Sequence, residues 1–490
     1  GSLGRPRLPT GSHAMIPITL RDVADLTGGS LHPETSEVGD LVVDGPVVTD
    51  SREAGPGSLY VARVGEYADG HAYVGAARAA GAVAALTSRV VDELPCVVVV
   101  DAQVAFGRLA RAVVDRSSDL RVVAVTGSSG KTSTKDLLAQ VLATAGETVA
   151  PVASLNGEVG VPLTVCRVTP TTRFLVAEMG ARGLGHLTYL TTIAPPDVSI
   201  VLNVGVAHVG EFGSRAAIAQ AKGELVEALG PDGVAVLNAD DPAVAAMASR
   251  TRGRVVTVGL DPAADVRAVD VRLDPLGRPS FTVVTADGEA DVALAVSGAH
   301  QVGNALSVLA AGLACGLHLS DAAKALSEAA AVSRWRMEIT ERPDGVTVVN
   351  DAYNANPGSM RAALEALAAI AGAATPRRRS WAVLGEMLEL GDEARVDHEE
   401  IGRAAVELGV DRLVVVGEGA RPLADGAASA LAEGERAACP TETTVVADLD
   451  TAHALVAEAL APGDVVLLKS SRDSGLRWLG DRLAGLGGTA

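Results

Sequence analysis

The stretch Thr126-Gly127-Ser128-Ser129-Gly130-Lys131-Thr132-Ser133 follows an apolar run, Val122 to Val125, and leads into a segment of helical periodicity, Thr132 to Ala145. It reads as a phosphate-binding loop. The glycines let several N–H groups converge on one anion, the new helix turns its positive end there, and Lys131 adds a mobile cation. The Thr132 hydroxyl suits a phosphate-bound magnesium ion. Val125 stands where the longer form of this loop has its first glycine, so the match is to the shorter Gly-x-x-Gly-Lys-Thr form. Glycine makes up 53 of 490 residues, which makes a plain glycine turn the competing reading. The joint order of strand, glycines, lysine, hydroxyl and helix favours phosphate binding.

Around this loop, residues 119–332 alternate strand candidates with helical stretches, the pattern of a largely parallel sheet with crossover helices. The strand candidates are Val122–Val125, Leu175–Ala177, Val198–Leu202, Val234–Leu237 and Val255–Val258. Glu178, Asn203 and the group Asn238, Asp240, Asp241 follow three of them, at the carboxyl ends where open parallel sheets bind ligands. Residues 15–118 read as a smaller α/β unit of short strands and an Ala-rich helix near Tyr73 to Ala80. Residues 333–490 alternate again, with strand candidates at Val346–Val349, Trp381–Leu384, Leu413–Val416, Thr444–Ala447 and Val465–Leu468, and predict a Rossmann-like α/β domain. The expected fold is therefore α/β in three domains: a small N-terminal substrate domain, a central P-loop parallel-sheet ATPase domain and the C-terminal Rossmann-like domain. Residues 1–14, ending Gly11-Ser12-His13-Ala14 before Met15, read as an expression remnant, with the native chain expected to start at Met15.

Lys plus Arg total 41 against 60 Asp plus Glu, a net charge of −19. This argues against a broad electrostatic footprint for nucleic acid or anionic lipid. No apolar run long enough to span a bilayer and no leader pattern after Met15 are present, so membrane insertion is not expected. Cys96, Cys166, Cys315 and Cys439 form no Cys-x-x-Cys pair, indicating neither a zinc site nor a disulfide framework and fitting a reducing cytoplasm.

The central segment also offers Thr132, Glu178, His208 and Lys222 as a possible magnesium set. Glu178 can equally be a solvated carboxylate, and His208 a satisfied histidine near a strand end. Lys222 cannot bind a cation as an ammonium. It is either a surface or phosphate-contacting charge, or a lysine carbamylated by carbon dioxide that presents a carboxylate. Two polar sites in the N-terminal unit, Asp50-Ser51-Arg52 and Asp69-Gly70-His71, are either ordinary turns or ligand contacts.

These residues carry a resemblance. Thr126–Lys131 resembles the ATP loop of the Mur ligases, and Glu178-Met179-Gly180, Ala207-His208, Ala221-Lys222-Gly223-Glu224 and Asn238-Ala239-Asp240-Asp241 follow that family's order. Tyr353-Asn354-Ala355-Asn356-Pro357-Gly358-Ser359-Met360 and Leu384-Gly385-Glu386-Met387-Leu388-Glu389-Leu390-Gly391 resemble the branch that joins D-alanyl-D-alanine to UDP-N-acetylmuramoyl-tripeptide. The Asp-Asn-Pro-Arg motif of the branch adding the third residue does not occur in the sequence.

The resemblance implies that Gly127, Ser128, Ser129, Gly130, Lys131, Thr132 and Ser133 hold the ATP phosphates and that Asn304, Arg336 and Asp351 contact the rest of ATP. It implies one magnesium on Thr132 and Glu178 and a second on His208 and carbamylated Lys222. Lys131, Glu178, His208 and Lys222 are then the catalytic set. Ser51 and Arg52 would help seat the uridine diphosphate end, Asn156 and Glu158 the sugar or peptide, and Asn354 and Asn356 the dipeptide. Three positions depart from the family pattern: Gly157 stands for a second Asn, Trp335 for a Gly before the Arg, and Ser470 for the Gly of Lys-Gly-Ser-Arg.

The implied reaction transfers the γ-phosphoryl of ATP to the tripeptide carboxylate, after which the dipeptide amine displaces phosphate. A cytoplasmic monomer whose domains close on substrate is expected. The alternatives are another Mur-type or folylpolyglutamate-type amino-acid ligase and a catalytically decayed nucleotide-binding protein.

Overall fold

The computed structural model describes residues 15–66, 68–205, 212–434 and 440–486. Two compact units divide the chain. One runs through Ala124 and resumes over Ala145–Gly180 and Leu187–Asp197, and the other takes Val125–Thr144, Ala181–His186 and the chain from Val198 onward.

In the first unit a five-stranded sheet has the order Ser30–His32, Cys96–Val98, Ala84–Thr87, Leu59–Val61, Val47–Val48. The last four strands run parallel, while Ser30–His32 opposes Cys96–Val98. Leu59, Tyr60 and Val61 are all buried, so this strand reads as a continuous apolar run without alternation. Tyr60 packs with Val74 and Ala77 of the helix Val74–Ala80. The helix Ala102–Asp115 begins where the Asp101 carboxylate accepts the N–H groups of Gln103 and Val104 at 2.7 and 3.0 Å. The same unit holds Thr148–Val149 paired in parallel with Phe174–Glu178.

In the second unit Leu202 N–H donates to the Thr126 carbonyl at 3.0 Å. The strands Val198–Val201, Val234–Asn238, Arg254–Gly259 and Val266–Leu273 follow as a parallel ladder. Beyond them the sheet changes character. Pro279–Thr285 runs antiparallel to Val266–Leu273, and Gly288–Ala293 antiparallel to Pro279–Thr285. The parallel pattern expected from sequence therefore ends in an antiparallel meander, whose outer half is solvated and whose strands carry charges on the exposed face.

The C-terminal part of this unit is a six-stranded sheet ordered Glu338–Glu341, Thr347–Asn350, Val465–Lys469, Ser380–Leu384, Arg412–Val416, Glu442–Val446. Only the first strand is antiparallel. Apolar clusters cover both faces. One includes Met360, Leu364 and Leu367 of the helix Pro357–Gly372, and the other Leu476 and Leu479 of the helix Leu476–Leu483. Each such buried side chain contributes about 1.5–3 kcal/mol relative to exposure. Among the described residues no helix is long and apolar enough to cross a membrane, and Cys96 and Cys166 are buried free thiols. Cys439 lies outside the described residues.

Candidate active site

The strand Arg121–Thr126 ends in buried Thr126, and the helix Lys131–Ala143 begins directly after Gly130. No side chain caps this helix, so its first N–H groups face the turn of the loop. Gly130 has φ +81°, and a Cβ there would stand 2.7 Å from Asn304 Oδ1. A Cβ on Gly127 would stand 2.9 Å from the Leu202 Cβ. Both glycines are required, one by conformation and both by space.

Asn203 fastens the loop from the neighbouring strand end. Its carbonyl accepts Ser128 N–H at 3.2 Å, its Oδ1 accepts Ser129 N–H at 3.0 Å, and its Nδ2 donates to the Ser129 carbonyl at 3.3 Å. Gly205 N–H donates to Ser128 Oγ at 2.8 Å. The sequence marks Asn203 as a polar strand end but assigns it no role. Lys131 Nζ donates to the Gly127 carbonyl at 2.7 Å, which curls the cation back over the loop.

Lys222 lies on the helix Arg215–Glu227 and is only 3% exposed, so it is not a surface charge. Burial first, and the positive charge of Lys131 second, push its amine well below the ordinary lysine range. The neutral amine is the nucleophilic form of the side chain. His208 lies outside the described residues.

Residues from the segments that flank the C-terminal strands reach the same loop. Arg336 Nη2 donates to Thr132 Oγ1 at 3.0 Å, and its guanidinium lies 4.2 Å from the centre of the Tyr353 ring. Asn356 Nδ2 donates to the Ser128 carbonyl at 3.4 Å, while Asn356 Oδ1 caps its own helix at Ser359 N–H. Asp351 accepts Met337 N–H at 2.9 Å and pairs with buried Lys469 at 2.6 Å. Asn354 Oδ1 accepts Ala355 N–H, and its carbonyl accepts Lys469 Nζ. Asn304 Nδ2 donates to Gln301 Oε1 at 2.9 Å. Trp335 has a left-handed backbone at φ +60°.

In the first unit Glu178 is wholly buried at the end of its strand. Its Oε1 accepts Ser154 Oγ–H at 2.7 Å and Asn156 Nδ2–H at 2.8 Å. Asn156 thus orients Glu178 in addition to whatever it offers a substrate. Glu158 exposes its side chain while its carbonyl accepts Gln103 Nε2 at 2.6 Å. Ser51 and Arg52 lie on a short turn beside the five-stranded sheet, where Arg52 pairs with Asp50 and keeps an 87% exposed side chain.

The Mur ligase middle domain family matches residues 125–312, and the Mur ligase, glutamate ligase domain family matches residues 335–472. The chain belongs to the Mur ligase family. The first match takes in the loop, Glu178, Lys222 and Asn304, and the second takes in Arg336, Asp351, Asn354 and Asn356. Ser51 and Arg52 lie outside both. Among Mur ligases, a UDP-N-acetylmuramoyl-tripeptide–D-alanyl-D-alanine ligase from Mycobacterium tuberculosis is 47% identical over 96% of this chain and 98% of its own length. The enzyme of that name from Escherichia coli is 37% identical over 82% and 87%. The crystal structure of MurF from Acinetobacter baumannii matches with TM-score 0.85 at 30% identity, covering 96% of this chain and 99% of that one. MurF from Thermotoga maritima in complex with ADP matches with TM-score 0.74 at 28% identity, covering 90% and 98%.

Proposed function

We propose that this chain is an ATP-dependent ligase that joins D-alanyl-D-alanine to UDP-N-acetylmuramoyl-tripeptide in peptidoglycan precursor synthesis. The observation that carries this reading is the intact phosphate loop, with Arg336 seated on Thr132, in a chain alike along nearly its whole length to ligases of that name. A carboxylate resists attack by an amine because it is negatively charged and lacks a leaving group. Transfer of the γ-phosphoryl to the tripeptide carboxylate, releasing ADP, removes both obstacles. The dipeptide amine then attacks the acyl carbon, the C–O bond to phosphate breaks, and the amine proton leaves with solvent or a base. The loop N–H groups, Lys131 and Arg336 neutralise charge on the transferring group and orient it. Asn304 and Asp351 are assigned to the nucleoside side, Asn354 and Asn356 to the dipeptide, and Ser51, Arg52, Asn156 and Glu158 to the UDP-sugar peptide.

The donor set suits magnesium, since Glu178 is a buried, pre-oriented carboxylate and Thr132 presents a hydroxyl at the loop. Thr132 and Glu178 would hold one ion, and His208 with carbamylated Lys222 a second. When bound, magnesium draws charge from the phosphate oxygens. Lys222 supports the carbamate reading through its burial and depressed basicity: its neutral nitrogen adds to carbon dioxide, forming a C–N bond and releasing one proton. Lys222→Ala should lose activity by roughly 10²–10³-fold, with partial recovery on adding acetate or a longer carboxylic acid. A folded variant without recovery favours a phosphate-contacting amine.

Residues 15–118, 119–332 and 333–490 are assigned as the UDP-substrate-binding, central ATP-binding and C-terminal Rossmann-like domains of a cytoplasmic monomer. The acyl-phosphate step has a direct test. With heavy oxygen in the tripeptide carboxylate, the label should appear in the released phosphate; its complete retention in the peptide product would exclude that intermediate.

A further inference from the structure

Arg336 sits between two residues in the left-handed region, Trp335 at φ +60° and Met337 at φ +50°. Side chains other than glycine's seldom adopt that backbone, and it persists only where the surroundings enforce it. Met337 is held by its N–H bond to Asp351 Oδ1 and by burial of its side chain in the apolar cluster that contains Val349 and Met360. Trp335 is held by a larger set of polar contacts. Its N–H donates to Glu338 Oε2 at 3.0 Å and its carbonyl accepts Tyr353 N–H at 3.2 Å. Its indole Nε1–H is shared between Asp481 Oδ1 and Oδ2 at 3.1 and 3.2 Å. The ring stands edge-on to Trp478 at 5.1 Å, with the Arg334 guanidinium 4.9 Å from its centre.

Asp481 is the common anchor. It is 2% exposed and accepts Arg334 Nη2 at 2.7 Å and Asn350 Nδ2 at 3.3 Å besides the indole. A buried carboxylate so ligated has little freedom to move. At the other end of this chain of contacts, Arg336 reaches Thr132 Oγ1, and its buried Nε has no hydrogen-bond partner among the described residues.

We propose that Asp481 is a positioning residue for the ligase reaction. Acting through the indole of Trp335, it holds the backbone left-handed and so delivers Arg336 to Thr132. The proposal rests on the reading of Thr132 and Arg336 as nucleotide contacts given above. Without the indole bond, residue 335 relaxes toward negative φ and swings the Arg336 side chain off the loop. A glycine in place of Trp335 reaches positive φ at no steric cost, so the backbone there no longer needs the indole anchor.

The consequence is an inverted order of substitutions. Trp335→Phe keeps the ring but lacks the N–H, so kcat should fall about tenfold or more, since misplacement on the order of 1 Å costs up to about 10²-fold, with KM for ATP changing less. Trp335→Gly, the larger truncation, should stay within about threefold of wild type. Asp481→Ala should lower the melting temperature both alone and combined with Trp335→Gly, yet lower kcat only where Trp335 is present. A Trp335→Gly variant as slow as Trp335→Phe, or an equal kcat loss from Asp481→Ala in both backgrounds, would overturn the proposal. The ADP-induced rise in melting temperature, measured on the same proteins, gives a readout that needs no turnover: the rise should shrink in Trp335→Phe and return in Trp335→Gly. An inactive wild type would sink the ligase reading alone, leaving that thermal series to decide the positioning role; an unchanged rise across it would refute the role.

Discussion

The phosphate loop and the segment Ser333–Met337 meet at one hydroxyl, Thr132 Oγ1, and each carries a cation, Lys131 and Arg336, but they are shaped by opposite means. The loop gets its left-handed turn at Gly130 from a residue that adopts it at no steric cost. The other segment imposes the same region on tryptophan and methionine and holds them there with carboxylates, Asp481 and Asp351. Cationic side chains are thus placed by glycine freedom on one side and by anchored strain on the other. The first device is written locally in the sequence; the second depends on a partner far along the chain.

The largest loss of activity should come from putting a side chain where glycine works. Gly130→Ala should cost about 1–2 kcal/mol in backbone energy and drive a methyl against Asn304 Oδ1. Turnover should drop at least about 10²-fold, measured by steady-state kinetics, since the convergent N–H groups no longer point to one anion. A second substitution sharpens the contrast by loosening the loop without adding bulk. Asn203→Ala removes the side-chain bonds to Ser129 and should raise KM for ATP by roughly tenfold, equivalent to about 1.4 kcal/mol; an unchanged KM would mean that the glycine backbone alone sets the loop.

The smallest expected effect is a control remote in sequence from both segments. Asp397 is pushed up to about 6, mainly by burial and then by Glu400 and Glu393. The folded state therefore binds this proton more tightly than the unfolded chain, and stability is lost as pH rises from about 4 through about 6. Asp397→Asn should raise the melting temperature by about a degree at pH 8, because a partly exposed group is screened, and should change nothing at pH 4. Thermal scans at the two pH values check the sign, and kcat should not move.

Sequence conveys the loop and the buried parallel strands because both have local signatures: glycines, lysine and hydroxyl in fixed order, and short runs of Val, Ile and Leu buried on both faces. The meander at Val266–Leu273, Pro279–Thr285 and Gly288–Ala293 is harder to read. Its strands mix charges with apolar residues, and pairing partners rather than composition decide them. Lys222 is ambiguous in sequence for a related reason, since burial is a tertiary property and spacing cannot distinguish a surface ammonium from an enclosed neutral amine. Sequence assigns Asn156 to substrate, but its bond to Glu178 arises only when the two strand-end loops fold together. Trp335 shows only as a departure from the family pattern, because its anchor Asp481 lies 146 residues away.

Release of phosphate from ATP, followed with each acceptor added singly and then together, bears most directly on the whole reading. The account predicts release only when UDP-N-acetylmuramoyl-tripeptide and D-alanyl-D-alanine are both present, whereas release supported by glutamate or a diamino acid in place of the dipeptide, or no release with both substrates, would contradict it.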